Sequence, residues 1–149
     1  CISDIRRKLK EKFSVCGAAA DELIDSLVSD GFVDEGRYAA AFARDKASIA
    51  LWGPVKIRFH LRTKGIEDSV ISDAVAQIDG TKAAPGMEKL LLSKWKSLKD
   101  DPQGRLKLIR FALSRGYEYE SVQNFLRNLT LSSPSLKETD PSEENPSSI

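Results

Sequence analysis

Residues 55–65 read VKIRFHLRTKG, and apolar and polar side chains alternate from Val55 to Arg62. That is the period of a half-buried β-strand. It sets Val55, Ile57, Phe59 and Leu61 inward, and Lys56, Arg58, His60 and Arg62 outward on a basic face. A second stretch, RLKLIRFALSRG at 105–116, argues otherwise. Aligning Gly65 with Gly116, 51 residues later, sets Ile57 against Leu108, Ile71 against Val122 and Val75 against Leu126. This copy does not alternate: Leu106, Ile109 and Leu113 form a helical stripe, widened by Leu108 and Ala112. If the copies share a structure, residues 54–64 are a helix as well. At about 100° per residue, Val55 and Phe59 fall on one side and Ile57 and Leu61 on roughly the opposite side. Arg58 and Arg62 lie in a strip between them, with Lys56, His60 and Lys64 on the other flank. The expectation is a helix packed on two sides by neighbours and basic along its flanks.

Helical spacing recurs along the chain. Asp34 reads as an N-cap ahead of Tyr38, Ala41 and Phe42. Val70, Ile71, Ala74, Val75 and Ile78 make one stripe; Leu91, Trp95 and Leu98 make another after an Ala84-Pro85-Gly86 break. Asp101-Pro102 reads as an N-cap with proline at the first helical position. A weaker third copy is ISDIRRKLKEKF, a turn, then DELIDSLV. Seven or eight helices of about 10 to 16 residues follow. Each unit pairs a basic helix with a more acidic one across a short turn, and a further helix lies between units. The expected fold is all-α, an elongated curved array of tandem three-helix, helix-turn-helix-like repeats. Its parts are residues 1–30 (a first module lacking its first helix), 31–80 and 84–129. A Ser/Pro-rich acidic tail at 130–149 has too few apolar residues to order itself.

Composition narrows the function. The 149 residues are 41% hydrophobic and 30% charged, as in a soluble folded protein. No run approaches the roughly 18 apolar residues of a membrane span. The amino end is charged, unlike an export signal, so a cytoplasmic location is expected. The sequence starts without Met, so a trimmed chain is expected. Cys1 and Cys16 with the single His60 make neither a disulfide framework nor a zinc ligand set, so no metal or cofactor is expected. Phosphate-cradling loops and nucleophile elbows are absent from the sequence, which argues against an enzyme. Net charge is +1, but Thr130–Ile149 carries −3, leaving 22 basic against 18 acidic side chains in the first 129 residues. Such a body permits nucleic-acid contact without demanding it.

Two segments resemble the RecX regulatory proteins. The first is GFVDEGRYAAAFARDKA, with Gly31, Phe32, Asp34, Glu35, Arg37, Tyr38, Ala39 and Phe42. The second is WGPVKIRFHLRTKGI, with Gly53, Pro54, Ile57, Leu61, Lys64, Gly65 and Ile66; the last unit, with Gly116, follows in the same order. The resemblance covers residues 1 to about 129. It implies a non-enzymatic regulator, a monomer, that binds the RecA recombinase and its filament on single-stranded DNA. It also implies inhibition of recombination, ATP hydrolysis and co-protease activity in DNA repair and the SOS response, with weak direct DNA binding alongside.

The basic helices are the candidate contact surface. Arg44, Lys46, Lys56, Arg58, Arg62 and Lys64 form one group, and Arg105, Lys107, Arg110 and Arg115 another. Arg6, Arg7, Lys8, Lys10 and Lys12 repeat the pattern near the start. Two readings compete: a solvated surface with salt bridges inside each module, or an electrostatic track for a phosphate backbone or an acidic partner. Trp52 either stacks on an exposed base or closes the seam between two helices. A stand-alone helix-turn-helix DNA-binding module, built on the two helices around Gly65, is the rival reading.

Overall fold

The alternating stretch is a helix. The computed structural model describes residues 1–79 and 83–132, and every regular element among them is helical. In order these are α1 (Ile2–Phe13), α2 (Ala18–Ser29), α3 (Glu35–Ser48), α4 (Pro54–Thr63), α5 (Asp68–Asp79), α6 (Ala83–Leu98), α7 (Gly104–Ser114) and α8 (Tyr119–Ser132). The expected acidic tail begins too early by three residues, since 130–132 belong to the last turn of α8; the rest of it, from 133 onward, lies outside the described residues.

The repeat is written in the turns. Gly65 adopts φ +78 after α4; its amide donates to the Arg62 carbonyl and the Ile66 amide donates to Leu61. Gly116, at φ +88, closes α7 with the same pair of bonds, to Leu113 from itself and to Ala112 from Tyr117. A left-handed residue ends the helix, and the apolar residue after it turns inward: Ile66 and Tyr117 are both buried. Ser14, 51 residues before Gly65, ends α1 with a positive φ of 54°. The weak first copy therefore keeps the turn without the glycine. The same register runs through buried Ala20 and Ile24 of α2, Ile71 and Val75 of α5, and Val122 and Leu126 of α8.

Two apolar cores result. Ala39 and Ala43 of α3 meet Ile57 and Leu61 of α4, Ile66, and Ile71, Ala74, Val75 and Ile78 of α5. The two alanines leave room for α5 to approach α3 closely. Leu91 of α6, Leu108 and Ala112 of α7, Tyr117, and Val122, Phe125 and Leu126 of α8 form the second, with Trp95 against it. Trp52 closes the α3–α4 seam: its ring lies 6.4 Å from Phe42 and 4.7 Å from His60. Asp34 caps α3 as its position predicts, accepting the Arg37 amide at 3.0 Å.

Four details differ from the pattern. First, α4 is packed on one side only. Ile57 and Leu61 are fully buried, while Val55 and Phe59 are 49% and 62% exposed, because α3 and α5 cover only the Ile57 side. Second, of the Leu106–Ile109–Leu113 stripe only Ile109 packs against the core of its unit; Leu106 and Leu113 are exposed, and the buried residues are Leu108 and Ala112. Third, Ala84-Pro85-Gly86 is no break but the first turn of α6, where a proline has no intrahelical bond to lose. Fourth, α7 starts at Gly104, not Pro102. Asp101 instead holds a turn, accepting the Gln103 amide at 2.8 Å. Gly104 then fits under α6, where a β-carbon would meet the Leu98 carbonyl oxygen at 2.1 Å.

The N-terminus of α4 has no side-chain cap. Another helix supplies it. The amide of Gly53 donates to the Arg115 carbonyl at 2.7 Å, and that of Val55 to Gly116 at 2.9 Å. Free amides at one helix start thus take carbonyls from another helix's closing turn, positive end against negative end. Glycine permits the approach: a β-carbon on Gly53 would stand 2.2 Å from the Gly116 carbonyl, and one on Gly116 2.2 Å from Cβ of Lys56.

Candidate partner-binding face

The joint between α7 and α4 has a looser counterpart one unit earlier. There the end of α4 meets the start of α1: Lys64 Nζ donates to Asp4 Oδ1 at 2.8 Å, and Cys1 Sγ lies 3.9 Å from the Lys64 carbonyl. The three basic helices of the repeat therefore follow one another, α7, α4, α1, each end meeting the next start. A cavity of about 450 Å³ opens beside the second joint, lined by Arg6, Arg7, Lys10, Lys64 and Glu35.

Along this path most candidate cations are already paired. Arg58 reaches Glu118 at 3.4 Å, across to the third unit, and Arg62 Nε donates to Asp68 at 2.7 Å. Lys107 donates to Asp101 at 2.5 Å, and Arg44 stands 3.7 Å from Asp45. Lys46 and Lys56 place their ammoniums 4.8 and 4.5 Å from the centre of the Trp52 ring. That ring is thus occupied by two cations, which is worth about 1 kcal/mol per pair at partly exposed sites. Arg115 turns inward: Nη2 donates to the Ala50 carbonyl at 2.7 Å, and Nε is buried without a partner. It belongs to the joint and not to the free surface. Arg105 and Arg110 are exposed on α7. The salt-bridge reading accounts for the pairs, yet the exposed ones hold their partners weakly and can trade them for a ligand's charges.

The pairs leave a mark on titration. The Lys64 hydrogen bond holds the Asp4 carboxyl below its usual range, with the Lys64 charge adding to it. Lys107, then the Gln103 amide, does the same for Asp101. Burial raises the Tyr117 phenol against the nearby Arg115 charge. Its hydroxyl donates to the Leu51 carbonyl at 2.7 Å, a further tie across the joint.

The family-motif residues divide between scaffold and surface. Gly31 makes a left-handed turn after α2, Ile57 and Leu61 fill the core, and Tyr38 and Phe42 stack half-buried at 6.0 Å. Pro54 starts α4 beside the joint. Phe32 and Arg37 are exposed. Sequence reasoning anticipated pairs inside a module, such as Arg62–Asp68, but missed two things: the pair between units, Arg58–Glu118, and Phe59 as a surface residue. The alternation carried the second signal, since it gave α4 two apolar sides and named no element to cover one of them. Among the described residues, no group of His, Cys, Asp and Glu is placed to hold a metal ion, and no helix is long and apolar enough to cross a membrane.

Comparison with known proteins bears on what this face is for. A family model described as "RecX, second three-helix domain" matches residues 34–75, and "RecX, third three-helix domain" matches 87–126. The chain is 32% identical over 126 residues to "Regulatory protein RecX" of Chromohalobacter salexigens, covering 80% of this chain and 79% of that one. It is 28% identical over 116 residues to the protein of the same description from Clostridium tetani. That match covers 75% of this chain but 53% of the relative, so the chain spans about half of that protein's length. A crystal structure described as "regulatory protein RecX" superposes with a TM-score of 0.76 at 28% identity, covering 85% of this chain and 63% of that one.

Proposed function

Because the chain belongs to the RecX family, we propose that it binds the RecA recombinase, chiefly as the filament on single-stranded DNA, and lowers its activity in recombination, DNA repair and the SOS response. Family membership is the observation that carries this reading. The geometry supports it: three basic helices joined end to start offer one long positive surface to an extended nucleoprotein partner. Arg58, Arg62, Arg105, Lys107 and Arg110 are its proposed contacts, with Lys46 and Lys56 beside Trp52. In this reading the protein acts as a cytoplasmic monomer, without chemistry of its own. Direct DNA binding is weak, steeply salt-dependent and indifferent to sequence.

The helix-turn-helix rival loses support. It would set α5 in the major groove, and α5 presents exposed Asp68 and Asp73, with exposed Glu67 just before its start. Those carboxylates repel phosphate. The test is RecA's DNA-dependent ATPase during titration with this protein. The expected result is a fall in rate that saturates near stoichiometry; an unchanged rate at excess overturns the reading.

A further inference from the structure

We propose that the outward faces of α4 and α7 form a docking surface for a protein that presents apolar side chains ringed by carboxylates. The inference rests on the RecA reading for its partner and adds the surface and chemistry of contact.

The first observation is apolar exposure in the wrong place for a solvated helix. On α4, Phe59 points away from Ile57 and Leu61 and is 62% exposed, with Val55 beside it. On α7, Leu106 and Leu113 are 45% and 44% exposed, opposite buried Leu108 and Ala112. Val55 and Leu106 are 51 residues apart, so the repeat places an outward apolar residue at one position in both helices. Neither core needs these side chains. Large apolar groups grouped on an exposed helix face mark an interaction site.

The second observation is charge. Residues 54–64 carry Lys56, Arg58, Arg62 and Lys64 and no acid; residues 104–114 carry Arg105, Lys107 and Arg110 and no acid, Arg115 being turned into the joint. Phe59 is followed by Arg62 one turn on, and Arg110 stands between Leu106 and Leu113. Phenylalanine and arginine are enriched at the centres of protein interfaces, and the leucines add apolar area beside them. The charge selects an acidic partner. It also disfavours a second copy of this chain, which would lay arginine against arginine across a symmetric contact. Nucleic acid is disfavoured by α7, whose leucines offer no ring for a base to stack on.

The third observation is rigidity. The Gly53–Gly116 contact and the amide bonds from Gly53 and Val55 to the carbonyls of Arg115 and Gly116 fix the start of α4 against the end of α7. The two helices present roughly 30 Å of length at ~1.5 Å per residue. A surface fixed before binding loses less freedom on binding.

The test measures binding to RecA filaments on single-stranded DNA for wild type, Phe59→Asp, Leu106→Asp and Phe59→Leu. Circular dichroism checks each fold, and Phe59→Ala replaces any aspartate variant that loses helicity. Both aspartate variants are expected to bind at least about tenfold more weakly, and Phe59→Leu within about threefold of wild type. If wild type binds and the aspartate variants match it, this face is wrong and the RecA reading stands. If wild type itself does not bind, both fall. Phe59→Leu binding as weakly as Phe59→Asp would indicate base stacking and overturn the protein partner. Self-association of wild type that Phe59→Asp abolishes would assign the face to a second copy instead.

Discussion

Gly116 does two jobs, and a pair of substitutions separates them. Its φ of +88 is one any L side chain resists, and its α-carbon lies against Lys56, where a β-carbon would stand 2.2 Å from Cβ. Gly65 shares the first constraint, at φ +78, with nothing within 4 Å of a new β-carbon. Gly65→Ala should therefore cost about 1 kcal/mol, the backbone strain alone. Gly116→Ala adds overpacking against backbone and should cost roughly 3 kcal/mol, read as the difference in urea midpoint at constant slope. Equal costs would mean that the joint yields freely. The alignment marks both glycines as turn residues, because a left-handed turn after a helix is a local pattern. It cannot mark Gly53 against Gly116, because a close approach between segments so far apart in sequence leaves no periodic trace. Ser14 shows the converse: the turn persists where the expected residue type is missing, so the first copy looks weaker in sequence than in structure.

Among the helices, α1 is tied on differently from the rest. It buries no residue fully, and polar contacts tie it to α3, to the end of α4 and to α2. They are the Ile2 amide to Glu35 at 3.2 Å, Asp4 to Lys64, and Arg6 to Asp21. The Asp4 carboxyl is held below its usual range by Lys64. Its charged form is thus favoured by folding, so this link is fully present above the unfolded carboxylate range near pH 4 and is lost as pH falls through the lower folded value. Hydrogen exchange should show α1 losing protection on acidification before α3, α4 and α5 do. Lys64→Met should lose roughly 1 kcal/mol of that protection at neutral pH and remove most of its acid dependence. Unchanged α1 protection in Lys64→Met would mean that apolar contacts hold the helix. At this scale, helix existence was legible from period and repeat. Partner count was not: the wheel gave α4 two apolar sides, but periodicity reports that a side is apolar and not that anything covers it. The N-terminus of α7 was misread for a related reason. Asp-Pro is equally suited to a turn just before a helix, and only the contact of Gly104 with α6 decides where the helix begins.

For the whole molecule, the 51-residue repeat foretold tandem three-helix units, since each hides its apolar face against its own neighbours. It did not foretell that α7, α4 and α1 would join end to start, because that order depends on contacts between units. The joining turns three local charge clusters into one path. A path has a consequence that separate clusters lack. Lys10, Arg62 and Arg110 lie on its three helices and are exposed. If the filament meets the whole path, neutralising each should slow association about two- to fivefold at low salt, since rim charges act mainly on the encounter rate. Sites this far apart contribute independently. The triple variant Lys10→Gln, Arg62→Gln, Arg110→Gln should therefore associate roughly thirtyfold more slowly than wild type. The deficit should shrink at ~1 M salt, where charges are screened beyond about 3 Å. Stopped-flow mixing with RecA filaments measures it at two salt concentrations. A triple variant no slower than its slowest single variant would confine the contact to one helix, and the end-to-start order would then serve the fold alone.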